Sequence, residues 1–135
     1  MRIIATAAVL LVWGAGAQAG DPAAGAADFG KCKACHSIIA ADGTEIVKGG
    51  KTGPNLFGVI GRPVGSLDGF TYSKDMAAAG EAGVVWDEVS LAEYVADPRA
   101  WVRAATGNPK ARSAMTYKHK TGGADMAAYL ASLGQ

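Results

Sequence analysis

Apolar side chains begin this chain as a run and then separate into spaced groups, and the change of spacing marks the elements. Residues 3–13 are almost continuously apolar. At the other end, Met126, Tyr129, Leu130 and Leu133 recur at i, i+3, i+4 and i+7, with Gly134 following, which predicts a helix with one apolar face. Asp21-Pro22 supplies an N-cap and a first-turn proline, so a short Ala-rich helix is expected from 22 to about 33, with Gly25 and Phe29 on one face. Residues 73–79 read as a brief helix stopped by Gly80. Asp87 caps a further helix on which Leu91, Tyr94 and Val95 share a face, and Pro98 bounds it. Residues 37–66 hold Gly43, Gly49, Gly50, Gly53, Gly58, Gly61 and Gly65 without a period and read as loop. No strand-like alternation and no repeat is visible. The pattern predicts a small all-α domain with long loops.

The chain has 135 residues, which suits one domain. Arg2 ahead of the apolar run and Ala17-Gln18-Ala19 behind it form the pattern of a signal peptide, 1–19, cleaved after Ala19. Eleven residues fall short of the roughly 20 that cross a bilayer. The expected product is a domain of residues 20–135 exported to the periplasm, with an uncleaved membrane anchor as the alternative. Removing Arg2 leaves twelve basic and twelve acidic residues, so no basic excess points to nucleic acid. The charges are unevenly placed. Residues 99–120 carry Arg99, Arg103, Lys110, Arg112, Lys118 and Lys120 and no acid. Residues 68–97 carry seven acids against Lys74 alone. Such a distribution either orients partners through a dipole or forms two ordinary solvated faces.

Candidate chemistry sits at Cys32-Lys33-Ala34-Cys35-His36, the C-x-x-C-H pattern of covalent haem attachment. Two thiols three residues apart lie on one side of a helical turn, where each can add across a haem vinyl group. His36, next in the chain, then presents its imidazole to the iron. A large rigid prosthetic group would also explain the long glycine-rich stretch, which an ordinary core would not organise. Two other readings stay open. A dithiol redox pair would want a βαβ setting, and a zinc site would need Cys32, Cys35, His36 and His119 to converge.

At these residues the chain resembles the class I c-type cytochromes, in particular the long bacterial relatives of mitochondrial cytochrome c that serve photosynthetic and respiratory chains. The segments that carry the resemblance are GDPAAGAADFGKCKACH, KTGPNLFGVIGR, GFTYS, the helix from Trp86 to Pro98, the Met115 loop and ADMAAYL. They cover essentially all of the chain after the leader. The resemblance implies a small cytochrome c fold, with N- and C-terminal helices crossing at Gly25 and Tyr129 and long loops wrapped around one covalent haem c. Cys32 and Cys35 would hold the haem, His36 would be the proximal iron ligand, and the Pro54 carbonyl would accept from the other nitrogen of His36. Arg62, Tyr72 and Trp86 match positions around the buried propionate, and Tyr94 and Trp101 would line the pocket. Met115 matches the ligand loop, with Met-Thr-Tyr in place of the usual Met-x-Phe, and becomes the expected sixth ligand. Met76 and Met126 fall within predicted helices. His119 is the rival ligand, although between Lys118 and Lys120 it reads as a solvated histidine, and the adjacent lysines could replace Met115 at high pH.

The expected function is that of a soluble, monomeric one-electron carrier rather than an enzyme. With His36 and Met115 both bound, the iron has no open position. Its donor would be a cytochrome bc complex, and its acceptor a terminal oxidase or photosynthetic reaction centre. Lys31, Lys33 and the basic 99–120 segment would meet acidic docking surfaces on these complexes. The rival readings are a haem with a labile sixth position that binds gas or reduces peroxide, and a membrane-anchored carrier.

Overall fold

The computed structural model describes residues 19–134. The predicted signal segment therefore lies, apart from Ala19, outside the described residues. Asp21 starts helix α1 (Pro22–Asp28), its carboxylate accepting from the Ala23 amide at 2.9 Å. A 3-10 turn, Phe29–Lys31, tightens the end of the helix and delivers the chain to Cys32. The short helix expected to about residue 33 is thus an α-helix finished by a tighter turn.

The glycine-rich stretch contains a small hairpin that the sequence pattern did not predict. Strands β1 (Ile38–Ile39) and β2 (Glu45–Val47) pair antiparallel, with Ile38 opposite Val47 and an irregular register between Ile38 and Ile39. Asn55 stitches the next loop onto this hairpin. Its side chain accepts from the Ile39 amide at 2.9 Å and donates to the Ile39 carbonyl at 2.8 Å. The protein's own polar side chains therefore organise part of a stretch for which the sequence offered only a prosthetic group.

Helix α2 (Lys74–Glu81) is capped by Ser73 and runs through Gly80, where the sequence suggested a stop. Gly80 serves contact instead: a side chain there would collide with the Val64 carbonyl. Helix α3 (Glu88–Ala96) begins in a full capping box, with Asp87 accepting from Ser90 N–H and Ser90 accepting from Asp87 N–H. A further helix, α4 (Pro98–Thr106), follows at once, with Asp97 as its N-cap and Pro98 in its first turn. The sequence pattern predicts no helix here, only that Pro98 bounds the preceding one. Helix α5 (Gly123–Leu133) matches the predicted C-terminal helix.

Among the helices, α1 and α5 make the most extensive pairing, and α3 packs on α5. Gly25 lies at the α1–α5 crossing, where a Cβ would collide with the Asp125 carbonyl and with Tyr129 Cβ. Phe29 and Tyr129 meet edge to face there, with ring centroids 5.8 Å apart. The Asp21 amide donates to Asp125 at 2.7 Å and fixes the start of the crossing. Met76 and Met126 are both buried in the core, as their helical positions suggested. No helix among the described residues is long and apolar enough to cross a membrane.

Candidate functional site

The turn that follows α1 builds the centre of the site. Cys32 N–H donates to the Phe29 carbonyl, and the Cys32 carbonyl accepts from both Cys35 N–H at 3.2 Å and His36 N–H at 3.0 Å. One helical turn thus carries both thiols and ends on the imidazole. Both cysteines are free, Cys32 half-buried and Cys35 exposed. Burial pushes the Cys32 thiol up, with Asp28 adding to the shift. The βαβ setting that a dithiol redox pair would want is absent among the described residues, whose two strands form one antiparallel hairpin. The zinc reading fails on position. His119 faces Asp28, and no group of three or more metal-ligating side chains occurs among the described residues.

His36 is oriented from two sides. Its Nδ1 lies 2.8 Å from the Pro54 carbonyl, and Gly53 presses its backbone against the ring so closely that a Cβ would collide with it. With Nδ1–H donating to Pro54, Nε2 keeps its lone pair. Burial pulls the imidazole below its ordinary value, against an opposing pull from the Pro54 carbonyl. Neutral, oriented imidazole is the form that binds a metal.

The predicted aromatic residues come together. Trp86 stacks on Trp101 with centroids 4.7 Å apart, and Tyr94 meets both rings, at 5.1 and 5.5 Å. Tyr94 and Trp86 are buried, while Tyr72, Trp101 and Met115 are half-buried against the core. The Tyr94 hydroxyl and Ser113 hydroxyl are 3.3 Å apart, tying α3 to the segment that carries Met115. Arg62 donates to the carbonyls of Asn55 at 3.2 Å and Phe57 at 2.6 Å. Burial lowers its guanidinium from the usual value, and Tyr72 opposes that shift. Free thiols on one turn, a neutral imidazole with a free nitrogen and a half-buried aromatic lining are together a donor set and surface that fit a covalently held haem.

The structure corrects two expectations about charge. His119 is buried, not solvated, with Nε2 3.1 Å from Asp28 Oδ2 and its backbone N–H on the Val95 carbonyl. Lys31 pairs with Asp28 at 2.6 Å, and Lys118 with Asp97 at 2.7 Å, so neither is a bare cation. The sequence also missed Asn55 and Gly53 as supporting residues. Their only signal was their place on either side of Pro54.

The chain is 57% identical over 114 residues to cytochrome c-551 of Roseobacter denitrificans, covering 84% of this chain and 81% of that one. It is 51% identical over 135 residues to cytochrome c2 of Rhodobacter capsulatus, covering 98% of each. Ferric cytochrome c-550 from Paracoccus versutus has the same fold, with a TM-score of 0.83 at 47% identity, over 86% of this chain and 99% of that one. No protein-family model matches. Fold and site together define a class I c-type cytochrome. Within that class the chain belongs to the bacterial cytochrome c2 and c-550 family, electron-transfer proteins that carry one covalent haem c.

Proposed function

We propose that this cytochrome is a periplasmic carrier whose haem would be held covalently through Cys32 and Cys35, with His36 and Met115 supplying the iron ligands. The observation that carries the reading is the setting of His36, whose Nδ1 is committed to Pro54 at 2.8 Å while the ring rests on Gly53. When bound, the haem supplies a ferric/ferrous couple that accepts and releases one electron. Pro54 orients His36 and strengthens it as a ligand. Met115 contributes a thioether, which favours reduced iron. Trp86, Tyr94 and Trp101 exclude water, and Arg62 with Tyr72 offers polar hydrogens to a buried propionate.

Export follows from the pattern of residues 1–19, with cleavage after Ala19. The carrier takes electrons from a cytochrome bc complex and passes them to a terminal oxidase or photosynthetic reaction centre. It meets acidic surfaces on these complexes through the exposed Arg99, Arg112 and Lys33. Optical spectra of wild type and Met115→Ala test the ligand set. The wild type should be low-spin, show the ferric methionine–iron charge-transfer band and ignore carbon monoxide. Met115→Ala should lose the band and bind carbon monoxide. A mutant that keeps the band would sink the assignment, and a high-spin wild type would favour a haem with an open position.

A further inference from the structure

Met115 stands at the head of a stretch held at few points, one of them the exposed Lys118–Asp97 pair at 2.7 Å. Every residue from 116 to 122 is exposed except His119, whose side chain is 4% exposed. The His119 backbone N–H donates to the Val95 carbonyl at 2.7 Å, which ties the stretch to the end of α3. Its Nε2 lies 3.1 Å from Asp28 Oδ2. That approach is not aligned as a hydrogen bond, and Nε2 has no other partner among the described residues. The Asp28 carboxylate is therefore the charge this buried nitrogen meets. Asp28 is the last residue of α1, four before Cys32, and its other oxygen takes Lys31 Nζ at 2.6 Å. One carboxylate thus faces both the turn that leads into Cys32 and the stretch that leads away from Met115. A leucine would fill a similar volume without burying a polar nitrogen. What the imidazole adds is a polar contact with the Asp28 carboxylate, 3.1 Å away.

We propose that His119 is a positioning residue: its contact with Asp28 clamps residues 116–122 onto α1 and so resists departure of Met115 from the iron. The inference rests on the reading of Met115 as sixth ligand. Asp28 and His119 belong to different elements, so the clamp couples the covalent side of the site to the opposite side through protein alone. Removing either partner frees the same stretch, so the two losses do not add.

The test uses the ferric holoprotein as wild type, His119→Leu, Asp28→Ala, the double variant and His119→Gln, whose amide nitrogen reaches about as far as Nε2. Two readouts are local: amide hydrogen exchange of residues 116–121, and affinity for added imidazole, which binds only when the sixth ligand leaves. His119→Leu and Asp28→Ala should each speed exchange about tenfold and tighten imidazole binding about tenfold. The double variant should match the singles, and His119→Gln should stay near wild type. Asp28→Ala, at a half-exposed site, reads the same contact should His119→Leu fail to fold. Unchanged exchange, unchanged imidazole affinity or additive effects in the double variant would overturn the clamp. Retention of the methionine–iron band in Met115→Ala removes the ligand reading instead, so the two failures are distinguishable.

Discussion

At His36, direction is set by two backbone groups rather than by any side chain. The Pro54 carbonyl fixes Nδ1, and the Gly53 backbone fills the space beside the ring. Neither group can be replaced by a rotamer change elsewhere, so the ring has one orientation. Gly53→Ala places a methyl group against the imidazole and forces the loop or the ring to move. Overpacking of this kind costs about 1–3 kcal/mol. Urea unfolding of the holoprotein should register that loss together with a raised reduction potential, because a displaced ring donates less to ferric iron and stabilises it less. A variant with wild-type stability and potential would show that the loop gives way freely. Cys32, Cys35 and His36 were legible in the sequence because their chemistry depends on spacing along one turn. His119 was not. Its neighbours Lys118 and Lys120 describe a solvated stretch, whereas its buried place against Asp28 and the Val95 carbonyl joins residues distant in the chain.

Among the helices, the short polar residues at the N-termini do most to fix the boundaries. Asp21, Ser73, Asp87 and Asp97 each accept from a backbone N–H of the helix they precede. At Asp87 the bond from the Ser90 amide, 2.7 Å long, holds the carboxyl below its ordinary value of 3.8. A depressed carboxyl contributes stability that is present above its unfolded value and lost as pH falls through its folded one. Asp87→Ala should therefore cost about 1 kcal/mol near neutral pH and flatten the decline of stability below about pH 4. Denaturant titrations at pH 7 and pH 3 measure both effects, and an equal loss at the two values would count against the cap. The caps of α1 and α3 made those two helices readable from sequence. The same logic hid α4. Asp97-Pro98 was read as the end of one helix, yet Asp97 is at once the C-cap of α3 and the N-cap of α4. The hairpin escaped for another reason: strands of two and three residues are too short to show alternation.

For the molecule as a whole, charge placement matters more than charge sum. Residues 20–135 carry twelve acids and twelve bases, so any attraction to an acidic complex must come from one face. The fold trims that face, since Asp97 meets Lys118 and the Asp75 carboxylate accepts from the Arg112 amide at 2.8 Å. Arg99 and the Arg112 guanidinium form no ion pair among the described residues, and both residues are exposed. They border the cleft that Met115 and Lys118 also line, so their field acts at the edge of the site. Steering by such charges raises association rates at low salt and fades as the screening length shrinks to about 10 Å at 0.1 M. The double charge reversal Arg99→Glu with Arg112→Glu should slow reduction by a purified cytochrome bc complex about tenfold at low ionic strength. It should also flatten the salt dependence, so that the two proteins converge near 0.5 M salt, where screening reaches only a few ångströms. Stopped-flow rates across that range decide the matter. Curves that stay parallel would mean that the substitutions damaged electron transfer itself. Curves that coincide throughout would mean that another face docks.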